Sequence, residues 1–126
     1  MRIEHLALWC SDIEAMRAFY EKWFDARSNS RYDNPKKGFS SYFVSFDDGA
    51  RLELMQRTDV TERAAATPLG YAHIALTLGS EEAVEQLTTR LLTAGVPVAD
   101  GPRRTGDGYY ESVILDPEGN RIELTA

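Results

Sequence analysis

The sequence predicts an α+β fold made of two tandem βαβββ modules, and two observations carry that prediction. His5-Leu6-Ala7-Leu8 returns as His73-Ile74-Ala75-Leu76, and Arg51-Leu52-Glu53-Leu54 returns as Arg121-Ile122-Glu123-Leu124. The two offsets, 68 and 70 residues, nearly agree. A period that long is too large for a solenoid and fits one duplicated module. The modules are placed at 1–58 and 71–126, joined by a linker over 59–70 in which Ala64-Ala65-Ala66-Thr67-Pro68 and Gly70 interrupt the pattern.

Each element has a local reason. Arg2 to Trp9 alternates, with His5, Ala7 and Trp9 on one face and Leu6 and Leu8 on the other, the period of a half-buried strand. Ser11 followed by Glu14 reads as a capping box, and Ile13, Met16, Tyr20, Trp23 and Phe24 then recur at spacings of three and four, predicting a helix over Asp12 to Phe24. Three strands follow near Ala26 to Tyr32, Phe39 to Phe46 and Ala50 to Arg57, the last two joined by an Asp-Gly turn.

The second module repeats that order. A strand over Tyr71 to Leu78 precedes Ser80, an N-cap, with Glu81 and Glu82 in the first helical turn. Val84, Leu87 and Leu91 supply the buried stripe and Gly95 ends the helix. Strands are expected over Val96 to Asp100, Tyr109 to Leu115 and Arg121 to Thr125. Two curved mixed sheets, each with a helix on one face, would turn their other faces toward a shared cleft.

Composition narrows the function. The 126 residues suffice for one ordinary core, 43% hydrophobic and 27% charged. A net charge of −6 denies phosphate backbones a basic footprint, so nucleic acid is not expected as a partner. One cysteine forms no internal disulfide. No apolar run is long enough for a membrane helix, and Met1-Arg2-Ile3-Glu4-His5 lacks the apolar centre of a signal peptide, so a cytoplasmic protein without a membrane partner is expected.

The two histidines of the chain occupy equivalent positions, one per module. By strand parity His5 and His73 point away from the helices, and so do Glu53 and Glu123, because Leu52, Leu54, Ile122 and Leu124 take the helix side. Singly, such residues are ordinary solvated side chains. In matched pairs they make a donor set for one borderline divalent cation, nickel or zinc first, with cobalt, manganese and iron also suited. A doubly charged ion would also relieve the repulsion between two neighbouring carboxylates.

These residues, with Tyr71-Ala72-His73-Ile74-Ala75-Leu76 and the closing Asp116-Pro117-Glu118-Gly119-Asn120-Arg121-Ile122-Glu123-Leu124, resemble the vicinal oxygen chelate superfamily. That group includes glyoxalase I, epimerases, extradiol dioxygenases and drug-binding resistance proteins. The likeness covers nearly the whole chain and is nearest to short bacterial glyoxalase I, where all four corresponding positions are metal ligands. It implies a metal-dependent lyase that isomerises a 2-oxoaldehyde–thiol hemithioacetal to a 2-hydroxyacyl thioester through an enediolate. Glu123 would be the proton carrier, Glu53 its symmetry partner, and the assembly a homodimer. Two departures concern the thiol: Trp9 stands where that type tends to have an arginine, and Arg57 where it often has an asparagine. A dioxygenase would use two histidines and one carboxylate, and a sequestering protein no metal; four retained ligands argue against both. Epimerisation of an acyl-CoA shares the metal and the acids and stays open.

Three further residues are candidates for substrate contact. Trp9 shares the face of His5 and could be a pocket wall. Arg104 and Tyr109 belong to Arg103-Arg104-Thr105-Gly106-Asp107-Gly108-Tyr109-Tyr110, which reads equally as a flap that clamps an anion and as a solvated hairpin. Arg51 and Arg121 are expected to pair with neighbouring acids, and Cys10 to be a small buried residue.

Overall fold

The computed structural model describes residues 1–63 and 69–126, and the alanine-rich part of the expected linker lies outside the described residues. The chain divides after Arg63 into two compact units. In unit 1 the order is β1 (His5–Trp9), α1 (Ile13–Phe24), β2 (Arg27–Ser28), β3 (Tyr32–Asn34), a 3-10 turn (Pro35–Lys37), β4 (Phe39–Ser45) and β5 (Arg51–Arg57). In unit 2 it is β6 (Ile74–Thr77), α2 (Glu81–Thr93), β7 (Val98–Arg104), β8 (Tyr110–Leu115) and β9 (Arg121–Thr125).

The sheet of unit 1 runs β1-β5-β4-β2, with β3 also on β4; that of unit 2 runs β6-β9-β8-β7. In both, the first strand lies parallel to the last and the rest pair antiparallel. The internal repeat survives at the level of single rungs. Ala7 lies opposite Glu53 and Ala75 opposite Glu123, so each histidine sits two residues before the partner of its own glutamate.

The helix-facing sides form the cores. Ile13, Met16, Phe19 and Tyr20 of α1 pack toward Val44, Leu52 and Leu54, while Val84, Leu87 and Leu91 of α2 pack toward Ile114, Ile122 and Leu124. Each such side chain, taken fully out of water, is worth about 1.5–3 kcal/mol. Phe19 joins the stripe that the spacing placed on Tyr20 and Phe24, and Trp23 is only half-buried, with the Lys22 ammonium over its ring. The α2 core also buries a hydroxyl pair, Thr88 and Ser112, 2.6 Å apart, with Thr88 donating back to the Val84 carbonyl.

Four boundaries differ from the sequence reading. The cap of α1 is Asp12, which accepts from the Ala15 N–H at 2.9 Å, whereas the Ser11 carbonyl accepts from Gln56 of β5. That bond anchors the helix start to the sheet, one residue before the cap. The strand expected over Ala26 to Tyr32 is broken into β2 and β3, both on β4. His73 lies just ahead of β6 and not within it. The strand expected over Val96 to Asp100 starts and ends later, because α2 closes in a Schellman turn, with Gly95 N–H bonded to Leu92 and Val96 N–H to Leu91. Ser80 caps α2 through Ala83 as the sequence indicates.

Candidate active site

Each unit places one His–Glu pair on the sheet face opposite its helix. In unit 1, His5 Nε2 lies 3.8 Å from Glu53 Oε2; in unit 2, His73 Nε2 lies 3.6 Å from Glu123 Oε2. Both spacings exceed a hydrogen bond. They approach the separation of about 3–3.4 Å that two donors take when each is about 2.1 Å from one ion. The glutamates are sheltered, each side chain 18% exposed, while the imidazoles are more open. A sheltered carboxylate beside an open imidazole is a donor set suited to a borderline divalent cation. Among the described residues no three His, Cys, Asp or Glu side chains are arranged to hold a metal ion together.

The registers that place the glutamates are set locally. Buried Asp116 closes the turn before β9: its carboxylate accepts from the N–H groups of Glu118 and Asn120 and from the Asn120 side-chain amide, each at 2.9 Å. This fixes Glu123 opposite Val113. In unit 1, Glu53 pairs with Phe43 instead.

The surroundings of the two pairs differ. Glu4 accepts from His5 Nδ1 and also receives Arg51, so the imidazole presents Nε2 to Glu53. The hydrogen bond from His5 chiefly, with help from Arg51, holds the Glu4 carboxyl below the usual carboxylate range. Phe43 meets the His5 ring edge-on at 5.3 Å and carries the Arg51 guanidinium over its face at 4.3 Å.

In unit 2 the position equivalent to Ser41 is Glu111, buried, one rung from Glu123. Burial raises its carboxyl above the ordinary value, the charge of Glu123 and a hydrogen bond between the two side chains push the same way, and Arg103, 3.5 Å from it, opposes. Gly101 makes that approach feasible. It adopts φ +75° in an irregular stretch of β7, where a Cβ would stand 2.6 Å from the Glu111 carbonyl oxygen.

Of the candidates for substrate contact, Trp9 lies on the His5 face, 43% exposed. Arg104 does not join the His–Glu pair. It pairs with Glu81 of α2 and donates to the Gly108 carbonyl, while its register partner Tyr110 bonds Glu85, all on the helix side. Its neighbour Arg103 takes the site face, because alternate residues of a strand point oppositely. Tyr109 is exposed in a turn whose ends are tied by Thr105 and Tyr109. Arg51 pairs with Glu4 as the sequence suggests, and Cys10 is buried. Glu4, Glu111 and Arg103 are the neighbours that sequence reasoning left unassigned. Strand parity groups Glu111 with Glu123 once the β8–β9 register is known.

Residues 2–124 match the family model described as the Glyoxalase/Bleomycin resistance protein/Dioxygenase superfamily. The chain belongs to that superfamily. Within it, the chain is 29% identical over 122 residues to the metallothiol transferase FosB of Lysinibacillus sphaericus, spanning 97% of this chain and 79% of that protein. Its fold superposes on the trypanothione-dependent glyoxalase I of Leishmania major with a TM-score of 0.80 at 22% identity, over 99% of this chain and 86% of that one. A structure described as a possible glyoxalase from Bacillus cereus gives 0.75 at 28% identity, over 100% and 99%. The mixed α+β fold with two sheets and two helices is thus that of the glyoxalase superfamily. Superfamily members are typically metal-dependent enzymes. Among the described residues no helix is long and apolar enough to cross a membrane.

Proposed function

We propose that this protein is a metal-dependent lyase of the glyoxalase I kind, which converts the hemithioacetal of a 2-oxoaldehyde and a thiol into a 2-hydroxyacyl thioester. The observation that carries the reading is the repetition of one His–Glu pair in both units, each histidine two residues before the strand partner of its glutamate. His5, Glu53, His73 and Glu123 together would hold one divalent ion, nickel or zinc by preference, with two units cooperating in one chain or across a homodimer. When bound, the ion would supply Lewis-acid stabilisation of negative charge developing on the substrate oxygens, an effect worth several kcal/mol.

The protein's own residues do the remainder. Glu123 takes the carbon-bound proton of the hemithioacetal and returns it to the adjacent carbon, a transfer in which a positioned base contributes about 10²–10⁴-fold. Glu53, its counterpart, keeps its carboxylate against His5 and Phe43. His5 is held in one orientation by Glu4. The sheltered setting of both glutamates limits water at the atoms that exchange the proton.

The likeness to a metallothiol transferase supports a second reading, transfer of a thiol at the same donor set. One assay separates the two. Metal-loaded protein is supplied with methylglyoxal and glutathione, bacillithiol or coenzyme A, and in parallel with an epoxide and the same thiols. Thioester formation that stops on chelation supports the lyase. Thiol adducts of the epoxide alone support transfer, and neither product with any metal sinks both.

A further inference from the structure

The unit 1 face that carries His5 and Glu53 continues into a patch that metal binding does not use. One rung beyond Glu53, Met55 lies opposite Trp9 and Ser41; one rung further, Arg57 lies opposite Phe39. Tyr32 of β3 pairs with Ser41 and so shares this face. Phe39 meets the ring of Trp9 edge-on at 6.4 Å and the ring of Tyr32 at 6.1 Å, and the Arg57 guanidinium lies 4.9 Å from the Trp9 ring centroid.

These side chains are not retained by burial. Trp9 is 43% exposed, Tyr32 54% and the Arg57 side chain 41%. Scattered exposed aromatics are ordinary, but a contiguous group capped by a cation marks a contact surface. Resting on the reading of His5 and Glu53 as part of the reacting centre, we propose that Trp9, Arg57, Phe39 and Tyr32 form a specificity subsite. Its ligand is a flat conjugated ring bearing a carboxylate or similar anionic edge, carried by the substrate away from its reacting carbons.

Three features select that chemistry. The ring-packed, partly exposed Trp9, Phe39 and Tyr32 offer further ring contacts, which reward a planar π system over a flexible aliphatic chain. Arg57 is stacked, and its Nε donates to Asp59, a carboxylate 69% exposed. Such an exposed pair holds weakly, and a ring-borne carboxylate can replace it with a forked contact to the same guanidinium. The spacing also fits. Met55 and Arg57 lie about 7 Å and about 13 Å along the strand from Glu53, a reach that separates the recognised ring from the reacting atoms.

The test reads the subsite without catalysis. In chelator-treated protein labelled with nitrogen-15, the indole N–H signals of Trp9 and Trp23 are followed during titration with 2-naphthoate, 2-naphthylmethanol or hexanoate. The expected result is a saturable shift of the Trp9 signal by 2-naphthoate with Trp23 unmoved. Hexanoate should bind at least tenfold more weakly, and the neutral alcohol at least fivefold more weakly. Calorimetry should show at least a tenfold loss of 2-naphthoate affinity in Trp9→Leu and in Arg57→Gln, with the Trp23 signal reporting that both variants remain folded. Equal binding of hexanoate, a non-saturable shift, or unchanged affinity in either variant overturns the proposal. Ring binding in a protein that turns over no thiol adduct leaves the subsite standing and removes the lyase reading. Turnover of aliphatic adducts with no binding of the ring does the reverse.

Discussion

Glu4 binds His5 through Nδ1 and leaves Nε2 facing Glu53 at 3.8 Å. A carboxylate behind an imidazole fixes its tautomer and raises its basicity toward whatever the other nitrogen meets. His5 thus enters the pair preorganised, at the cost of one exposed acid.

If His5 holds the proposed ion, replacing that acid weakens the binding without removing a ligand. Glu4→Gln is expected to bind nickel or zinc about 10–100-fold more weakly than the parent, with the number of ions per chain unchanged. Competition against a chelator of known affinity measures it. Unaltered affinity would show that His5 needs no orienting partner.

The two glutamates are expected to differ in kind. Glu123→Gln should lower turnover about 10²–10⁴-fold, whereas Glu53→Gln should weaken metal retention and recover part of its rate when excess metal is added. Rates for Glu123→Gln within twofold of the parent would remove its assigned role. Mixing the two variants also reads the assembly. Rate recovered on mixing means that the halves of one site come from different chains, since only then does a mixed dimer contain one site free of both substitutions.

Glu111 gives a pH dependence whose sign follows from its surroundings. Burial, reinforced by Glu123, lifts its carboxyl above the ordinary glutamate value, so the folded protein releases this proton at a higher pH than the unfolded chain does. Stability therefore falls as pH rises from about the ordinary value through the raised one, and is undiminished below both. In metal-free protein, Glu111→Gln is expected to raise Tm at pH 7 by about 2 °C or more and to leave it unchanged near pH 3. Thermal unfolding at the two pH values checks this, and an equal gain at both would assign the effect to packing.

Gly101 has a steric requirement of its own. Its positive φ and the Glu111 carbonyl oxygen 2.6 Å from an added Cβ leave no room for a side chain. Gly101→Ala is expected to cost about 2–3 kcal/mol in urea unfolding and to displace Arg103 from Glu111. A loss under about 0.5 kcal/mol would mean that β7 shifts freely at this point.

The sequence alone carried the duplicated βαβββ plan and the positions of both His–Glu pairs, because strand parity and helical spacing are local periodicities that one chain displays directly. Ser80, Gly95 and the Asp116 turn were legible for the same reason, being bonds between residues close in the chain. Only the tertiary structure decided which arginine faces the site. Two register shifts, between Val98 and Asp100 and between Asp100 and Arg103, set the phase of β7, so Arg103 meets Glu111 while Arg104 turns to Glu81 on α2. It also tied the start of α1 to β5 through Gln56, a partner 45 residues from Ser11. The raised carboxyl of Glu111 and the stacking of Arg57 on Trp9 depend on register and burial between strands distant in sequence, and neither quantity is written in the local pattern.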